Sequence, residues 1–204
     1  WIQQIAEIAR RHGALLIIDD IQAGCGRTGT FFSFEPFGIE PDIVVLSKSL
    51  SGFGLPMALA LIKPEHDKWL PGEHNGTFRG NNLAFLTATV ALEKFWSDGS
   101  FMRDVERRGK IVGAALARMA SQVPGSRGKG RGMMQGIDVV NGDLADVISR
   151  RCYAEGLIIE TSGPYDEVIK VLSPLTTPDD VLEQGLGILE AATMAETAKA
   201  ELQS

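Results

Sequence analysis

Lys48 is the residue of this sequence whose surroundings most favour covalent chemistry. It follows the apolar run Ile43 to Leu46 and stands among small residues, between Ser47 and Gly52. At the end of a hydrophobic strand a lysine can be buried, with its amine neutral enough to attack an aldehyde. The alternative is an ordinary lysine in a surface turn, because lysines are rarely buried.

A carboxylate, Asp19, ends a second apolar run. The run Ala14 to Ile18 predicts a strand buried on both faces, and it stops abruptly at Asp19 and Asp20. In an α/β sheet, small molecules bind beyond the carboxyl ends of the parallel strands. If both runs are strands of one such sheet, the amine and a carboxylate face the same ligand.

This pair of groups is what an enzyme dependent on pyridoxal 5′-phosphate requires. A lysine amine holds the cofactor aldehyde as a Schiff base, and a carboxylate keeps the pyridine nitrogen protonated so that the ring accepts electrons from the substrate Cα. Adjacent strand residues point to opposite faces, so only one of Asp19 and Asp20 can face the ring. For Asp20 the structural alternative is a carboxylate that accepts backbone N–H groups of the following loop.

Several stretches in a fixed order carry a family resemblance: residues 19–29, 41–43, 47–48 and 76–81. Their order and spacing resemble the successive motifs of the class III (omega-type) pyridoxal phosphate aminotransferases. The resemblance implies an α/β fold, fold type I of the pyridoxal phosphate-dependent transferases. Residues 1–97 then correspond to the later half of the large mixed/parallel-sheet domain that binds the cofactor, and residues 98–204 to an α+β C-terminal small domain.

The resemblance also implies roles for single residues. Lys48 and Asp19 take the catalytic positions, and Gln22 matches the residue that hydrogen-bonds the phenolic oxygen of the cofactor. Thr77 matches the position that holds the cofactor phosphate of the neighbouring subunit, which implies a homodimer or higher assembly with shared active sites. Read from the residues alone, Gln22 is equally well a turn amide. For Thr77 the alternative is a helix-entry residue without a ligand.

The sequence departs from the family where many members place an arginine for the substrate α-carboxylate. It offers Lys170 there, and lysine binds a carboxylate as a point charge, without the planar two-pronged pair that arginine forms. We expect Lys170 to bind the substrate carboxylate, alone or with Arg79. For Arg79 the alternative is a loop arginine paired at the subunit interface.

The activity implied is transamination between small amino acids and 2-oxo acids. Within the class, residues 47–56 and 71–82 most resemble the members that move an amino group from L-glutamate to L-aspartate 4-semialdehyde, giving L-2,4-diaminobutyrate and 2-oxoglutarate in ectoine biosynthesis. The alternatives are ornithine, 4-aminobutyrate or acetylornithine aminotransferases, or a decarboxylase or aminomutase using the same lysine. A further alternative is an inert dimerising fragment, because the family's phosphate cup and stacking aromatic residue lie upstream of Trp1.

Composition limits these interpretations. The 204 residues are 44% hydrophobic and 23% charged, an ordinary globular mixture, and a net charge of −6 disfavours nucleic acid as a partner. Without a membrane-length apolar run, a signal peptide or a disulfide framework, we expect no membrane partner and a cytoplasmic location. The three histidines are too scattered for a metal site. Trp1 opens within a helical pattern, so we expect a C-terminal fragment.

Hydrophobic periodicity predicts the elements that must position these groups. We predict a helix at the start, strands at 15–19, 43–46 and 58–62, a helix at 82–96 that is apolar nearly all round and therefore buried, and an amphipathic helix from Phe101. Further on we predict a strand at 133–140, a helix at 143–155, strands at 157–160 and 168–172, and a last helix capped by Thr177. The glycine-rich run 128–132 lacks the ending of a phosphate loop, so we interpret it as a flexible approach to the small domain.

Overall fold

The chain forms two compact units, Trp1–Arg103 and Asp104–Ser204. The computed structural model describes residues 1–77 and 79–203, apart from the side chains of Glu201 and Gln203. Phe78, which belongs to one of the predicted motifs, lies outside the described residues. The division falls within a helix, whereas the sequence placed the domain boundary between Ser97 and Asp98.

The first unit is built around a small mixed sheet. Its elements are helix α1 (Ile2–Arg11), strands β1 (Ile17–Asp19), β2 (Ile43–Leu46) and β3 (Leu59–Ile62), and helix α2 (Asn82–Phe95). Strand β1 pairs with β2 in parallel, and β3 pairs with β2 antiparallel, which places β2 in the centre. Strand β2 has the predicted bounds, because its run of Ile, Val and Leu favours a strand at every position.

The core of the first unit is small. Its buried members are Cys25, Val44, Leu46 and Leu50, with Phe31, Phe32, Phe34 and Met57 packed against them. The prediction that the first strand is buried on both faces is wrong, because burial alternates along β1, with Ile17 and Asp19 exposed and Ile18 partly buried. Ile17 is 55% exposed on the face that also carries Asp19. We call this the open face of the sheet.

Helix α2 is not buried in the chain described here, contrary to the prediction from its apolar sequence. Its small residues Ala84 and Ala88 are buried, whereas the larger Leu83, Leu86 and Val90 are exposed. The small side chains let the helix lie close to the rest of the unit, and its large apolar side chains face outward. We call the three exposed residues Leu83, Leu86 and Val90 the apolar face of α2.

The second unit packs helices on a four-stranded antiparallel sheet. Helix α3 (Ser100–Ala120) leads into strands β4 (Arg127–Arg131) and β5 (Met134–Asp138), helix α4 (Gly142–Ala154), strands β6 (Glu160–Ser162) and β7 (Val168–Val171), and helix α5 (Asp179–Gln203). The strand order is β4-β5-β7-β6. The predicted stripe of α3 is confirmed, since Val105, Val112, Leu116 and Met119 are buried. None of the described helices combines the length and apolarity needed to cross a membrane.

The glycine-rich run 128–132 was predicted wrongly as a flexible approach, because most of it is strand β4 of a tight hairpin with β5. Gly130 has a φ of +92°, and a Cβ there would lie 2.1 Å from the carbonyl oxygen of Met134. Only glycine permits that approach. The strand lacks apolar residues because it lies at the sheet edge, where Arg127 and Lys129 pair with Asp138 of β5.

The start of the last helix also differs from the prediction. The Thr177 hydroxyl donates to the carbonyl oxygen of Pro174 at 2.8 Å, and α5 begins at Asp179. Asp179 accepts hydrogen bonds from Arg107 and Arg108 of α3, which ties the start of α5 to α3 within the second unit.

Candidate active site

Lys48 opens a short 3-10 turn directly after β2. The turn, Lys48–Ser51, is closed by hydrogen bonds from Leu50 N–H to the Ser47 carbonyl and from Gly52 N–H to the Ser49 carbonyl, at 3.1 and 3.0 Å. Lys48 itself has a φ of +49°, in the left-handed region that disfavours side chains. A non-glycine residue stays there only where its surroundings hold it, and such residues cluster at functional sites. We call residues 48–51 the Lys48 turn.

The Lys48 side chain is exposed in this chain, which corrects the expectation of a buried amine. The turn projects beyond the last residue of β2, so the lysine leaves the sheet instead of packing into it. The amine is therefore available at the carboxyl edge of the sheet.

Asp19 lies at the same edge. It is the last residue of β1, and the parallel register pairs it with Val45 of β2, close before the Lys48 turn. Neighbouring strands lie about 4.8 Å apart, so the two strand ends are adjacent. Asp19 is exposed on the open face, and its Oδ1 accepts the N–H of Ile21 at 3.0 Å.

Asp20 takes the structural role that the sequence gave as its alternative. It is 1% exposed, and its Oδ2 accepts the N–H of Ser33 at 2.8 Å. Its backbone also bonds to Val45 and Gly24, so it fastens the loop after β1 to the end of the sheet. Burial, and then the charge of Asp20, raise the pKa of the Cys25 thiol to about 11, which keeps Cys25 a neutral packed side chain.

Gln22 and Thr77 both belong to the first unit. Gln22 is exposed in the loop that follows Asp19. Thr77 lines a cavity of about 490 Å³ at the start of α2, together with Pro56, Gly80, Asn81, Asn82 and Leu83. The first turn of a helix offers free N–H groups and the positive end of the helix dipole, which favour an anion.

Most of the other residues that line this cavity fall in the segments that carry the family resemblance, but no individual role was predicted for them. Asn81 is the N-cap of α2, and its side chain accepts hydrogen bonds from Leu83 and Ala84 N–H at 3.1 and 3.3 Å. An asparagine directly before a helical pattern is a cap signal, and the predicted helix start at residue 82 is confirmed. Pro56 follows the Lys48 turn, so the cavity lies between the lysine segment and the Thr77 segment.

The two cations predicted to bind the substrate carboxylate, Arg79 and Lys170, belong to different units. Arg79, in the first unit, donates from Nη1 to the carbonyl oxygen of His74, and so braces its own loop. Lys170, in the second unit, lies on β7 with its Nζ 2.9 Å from Glu160 Oε2 on the neighbouring β6. Lys170 also lines a largely apolar cavity of about 810 Å³ beside α5. The structure therefore places Lys48, Asp19, Gln22, Thr77 and Arg79 in one unit and Lys170 in the other.

The donor set of the first unit fits pyridoxal phosphate. It offers an amine that could bind the aldehyde, a carboxylate that could face the pyridine nitrogen and an amide that could reach the phenolic oxygen. It also offers a hydroxyl beside a helix start, which could bind the phosphate of a cofactor held by a neighbouring subunit. Among the described residues, no group of three or more His, Cys, Asp or Glu side chains could hold a metal ion.

An amine after one parallel strand and a carboxylate at the end of its neighbour, on this α/β framework, are the arrangement expected of a pyridoxal phosphate-dependent transferase of fold type I. Residues 1–193 match the family model of the class III aminotransferases, so the chain belongs to that family.

Curated relatives give the same family. The chain is 54% identical over 201 residues to the diaminobutyrate–2-oxoglutarate transaminase of Vibrio parahaemolyticus, covering 98% of this chain and 48% of that protein. It is 55% identical over 197 residues to the enzyme of that name from Halomonas elongata, covering 95% and 47%. The chain thus spans about half the length of these relatives.

Solved structures agree on the fold. N-acetylornithine aminotransferase from Stenotrophomonas maltophilia superposes with a TM-score of 0.82 at 32% identity, over 97% of this chain and 52% of that one. Ornithine aminotransferase from Toxoplasma gondii superposes with a TM-score of 0.87 at 26% identity, over 97% and 47%.

Proposed function

We propose that the complete protein is a transaminase that moves an amino group from L-glutamate to L-aspartate 4-semialdehyde, giving L-2,4-diaminobutyrate and 2-oxoglutarate. The observation that carries this proposal is the strained Lys48 turn at the same sheet edge as Asp19. The curated relatives named above support this choice of substrates. The reaction exchanges an amine for a carbonyl oxygen between two substrates, so it needs no outside oxidant.

The residues singled out in the first unit each have a role in this proposal. Pyridoxal phosphate, when bound, supplies an aldehyde for amine exchange and a ring that accepts electrons. Lys48 Nζ would hold that aldehyde and would serve as the general base for the Cα proton of the substrate. Asp19 would hold a proton on the pyridine nitrogen, and Gln22 would donate to the phenolic oxygen. Thr77 and the start of α2 would hold the phosphate of the neighbouring subunit's cofactor.

The proposal includes a homodimer, in which Thr77 of one subunit serves the cofactor of the other. The apolar face of α2 supports it, because exposed large apolar side chains on one helix are typical of an interaction surface. We also propose a cytoplasmic location, since Cys25 and Cys152 are free and buried.

The substrate carboxylate is proposed to bind Lys170, which must then leave Glu160. In the complete protein, Lys170→Ala should raise the KM for glutamate more than the Kd for the cofactor. Unchanged kinetics with glutamate would remove Lys170 from the site. Arg79 would then be the remaining cation of the two.

The test of the whole proposal is chemical labelling of the complete protein. Borohydride reduction with pyridoxal phosphate bound should attach the cofactor to Lys48, as read by peptide mass spectrometry. Lys48→Ala should lose this label and reduce turnover by about 10²- to 10⁴-fold or more, from loss of the general base alone. Lys48→Arg keeps the positive charge and serves as the control, and it should fail in the same way because it cannot carry the cofactor.

Two results would contradict the proposal: a label on another lysine, or faster turnover with ornithine, 4-aminobutyrate or N-acetylornithine than with the proposed pair. The same labelling applied to the 204-residue chain alone tests the alternative of an inert dimerising fragment. A folded dimer that takes up no label supports that alternative for the chain by itself.

A further inference from the structure

Helix α2 touches Gly52, the residue that directly follows the Lys48 turn. This glycine has a φ of +71°, and a Cβ built on it would lie 2.5 Å from the Cβ of Ala91 and 3.2 Å from the carbonyl oxygen of Thr87. Carbon atoms in contact normally lie about 3.5–4.0 Å apart, so the site has no room for a methyl group. The turn can approach the helix only because residue 52 has no side chain.

We propose that Gly52 is a positioning residue for Lys48, acting through its contact with Ala91 and Thr87 of α2. This inference rests on the proposed function, because it concerns the placement of the lysine that carries the reaction. Gly52 itself touches neither cofactor nor substrate in this proposal.

The Lys48 turn is braced at both ends, so a displacement at Gly52 passes along it. Leu50 is buried in the core of the first unit, and Ser51 is buried with its Oγ accepting the N–H of Gly54 at 3.1 Å. At the other end, the Ser47 hydroxyl donates to the carbonyl oxygen of Met57 at 2.7 Å. Because the turn is short and is held at both ends, a local change in its backbone cannot accommodate a displacement at residue 52.

Lys48 is the part of the turn most sensitive to such a push. Its left-handed backbone is maintained by its surroundings, so moving them changes where the side chain starts. Asp19, by contrast, is fixed by the pairing of β1 with β2. A shift of the turn therefore changes the distance between the amine and the carboxylate, and a misplacement of about 1 Å can cost about 10²-fold in rate.

The chain offers a matched control for the backbone effect of a substitution. Gly54 also has a positive φ, +82°, but nothing lies within 4 Å of a Cβ built there. Gly54→Ala and Gly52→Ala both place a side chain at a positive φ, and only Gly52→Ala meets α2. The difference between the two variants therefore reports mainly the contact with α2.

The experiment uses the complete enzyme with pyridoxal phosphate. For Gly52→Ala we expect kcat to fall by about 10- to 100-fold relative to Gly54→Ala, with the KM for glutamate little changed. The pH at which the visible absorbance of the bound cofactor changes should also shift, because that pH depends on the position of the Lys48 nitrogen relative to the cofactor. A purely structural role for Gly52 would lower the Tm without moving that pH.

A rescue tests the named contact. Ala91→Gly removes the atom nearest to the new methyl group, so Gly52→Ala with Ala91→Gly should recover most of the lost kcat and the original absorbance pH. If Gly52→Ala does not fold, Ala91→Val pushes on the same contact from the helix side, without any positive-φ cost, and should shift the absorbance pH in the same direction.

The outcomes separate this inference from the proposed function. If the wild-type enzyme takes up no borohydride label at Lys48, the proposed function fails and the inference with it. If Lys48 is labelled but Gly52→Ala matches Gly54→Ala in kcat and absorbance, only the inference is overturned. An Ala91→Val enzyme with unchanged absorbance would likewise overturn it.

Discussion

The two units of the chain differ in how completely they bury their own apolar residues. In the second unit the large side chains Leu116, Met119, Ile137, Ile148, Ile169 and Leu189 are all at most 1% exposed. In the first unit the small core cluster lies in the loop after β1, in β2 and in the Lys48 turn, and the apolar face of α2 stays exposed. The second unit therefore has a buried apolar core of its own, whereas the first leaves large apolar surfaces exposed and available for contacts.

Both units bury carboxylates, Asp20 in the first and Asp138 and Glu167 in the second, so the contrast in charged groups lies at the strand ends. The second unit buries Asp138 and Glu167 and pairs Asp138 with Lys129 and Arg127. The first unit leaves Asp19 and Lys48 exposed at a sheet edge. Buried charges that are paired are part of a folded framework, whereas exposed groups at strand ends are free to bind a ligand.

The largest expected effect on stability is in the core of the second unit. Ile148 is fully buried, so Ile148→Ala should lower the free energy of unfolding by about 2–5 kcal/mol, from lost burial and the cavity left behind. Urea unfolding of the chain, followed by circular dichroism, measures it. Ile158 is 82% exposed in the same unit, and Ile158→Ala should change the value by less than about 0.5 kcal/mol. Equal effects of the two variants would contradict the described core.

A smaller effect is expected from the buried carboxylate of the second unit. Lys129 Nζ lies 2.8 Å from Asp138 Oδ2, and the Asp138 side chain is only 8% exposed. Lys129→Met should cost about 1–2 kcal/mol in the free energy of unfolding, below the usual cost of breaking a buried pair because Lys129 is partly exposed and Arg127 remains. As a control, Lys110→Met removes an exposed pair with Glu106 and should leave the free energy of unfolding nearly unchanged, because water and salt screen such pairs.

The pH dependence sharpens this prediction. The hydrogen bond from Lys129, followed by the N–H of Val140, holds the pKa of Asp138 below its ordinary value of 3.8. Its stabilising contribution is therefore complete above that ordinary value and is lost as the pH falls through the lower folded-state pKa. Between about pH 5 and pH 3, the wild type should lose more stability than Lys129→Met does. An identical acid response of the two proteins would show that Lys129 does not set this pKa.

The sequence predicted well those features that depend on neighbours along the chain. The bounds of β2 and the buried stripe of α3 follow from hydrophobic periodicity, and both are confirmed. The separation of Asp19 from Asp20 follows from strand alternation. The catalytic and binding roles of Lys48, Asp19, Gln22, Thr77, Lys170 and Arg79 remain predictions.

The failures concern features set by packing across the chain. Strand β4 shows no alternation of apolar residues, because it is stabilised by pairing with β5 and by ion pairs to Asp138. Its glycines therefore favoured the prediction of a loop. Helix α2 looked buried because periodicity reports which residues are apolar and not what covers them. The left-handed backbone of Lys48 has no local signal, since lysine has no preference for that conformation.

The smallest expected effect on the chain itself is at the apolar face of α2, where assembly of the complete protein provides the contrast. Leu86 is 61% exposed, so Leu86→Gln should change the unfolding free energy of the 204-residue chain by less than about 0.5 kcal/mol. If this face lies in the proposed dimer, the same substitution in the complete protein should raise the dimer Kd by about tenfold or more, since buried leucines contribute about 1.5–3 kcal/mol.

Analytical ultracentrifugation of the complete protein, read over a dilution series, measures that change. Leu202, 88% exposed on α5, provides the matched control, and Leu202→Gln should leave the Kd unchanged. A Leu86→Gln protein that dimerises as tightly as the wild type would show that the apolar face of α2 is not the subunit contact. The exposure of the leucines on α2 would then need an explanation other than a subunit contact.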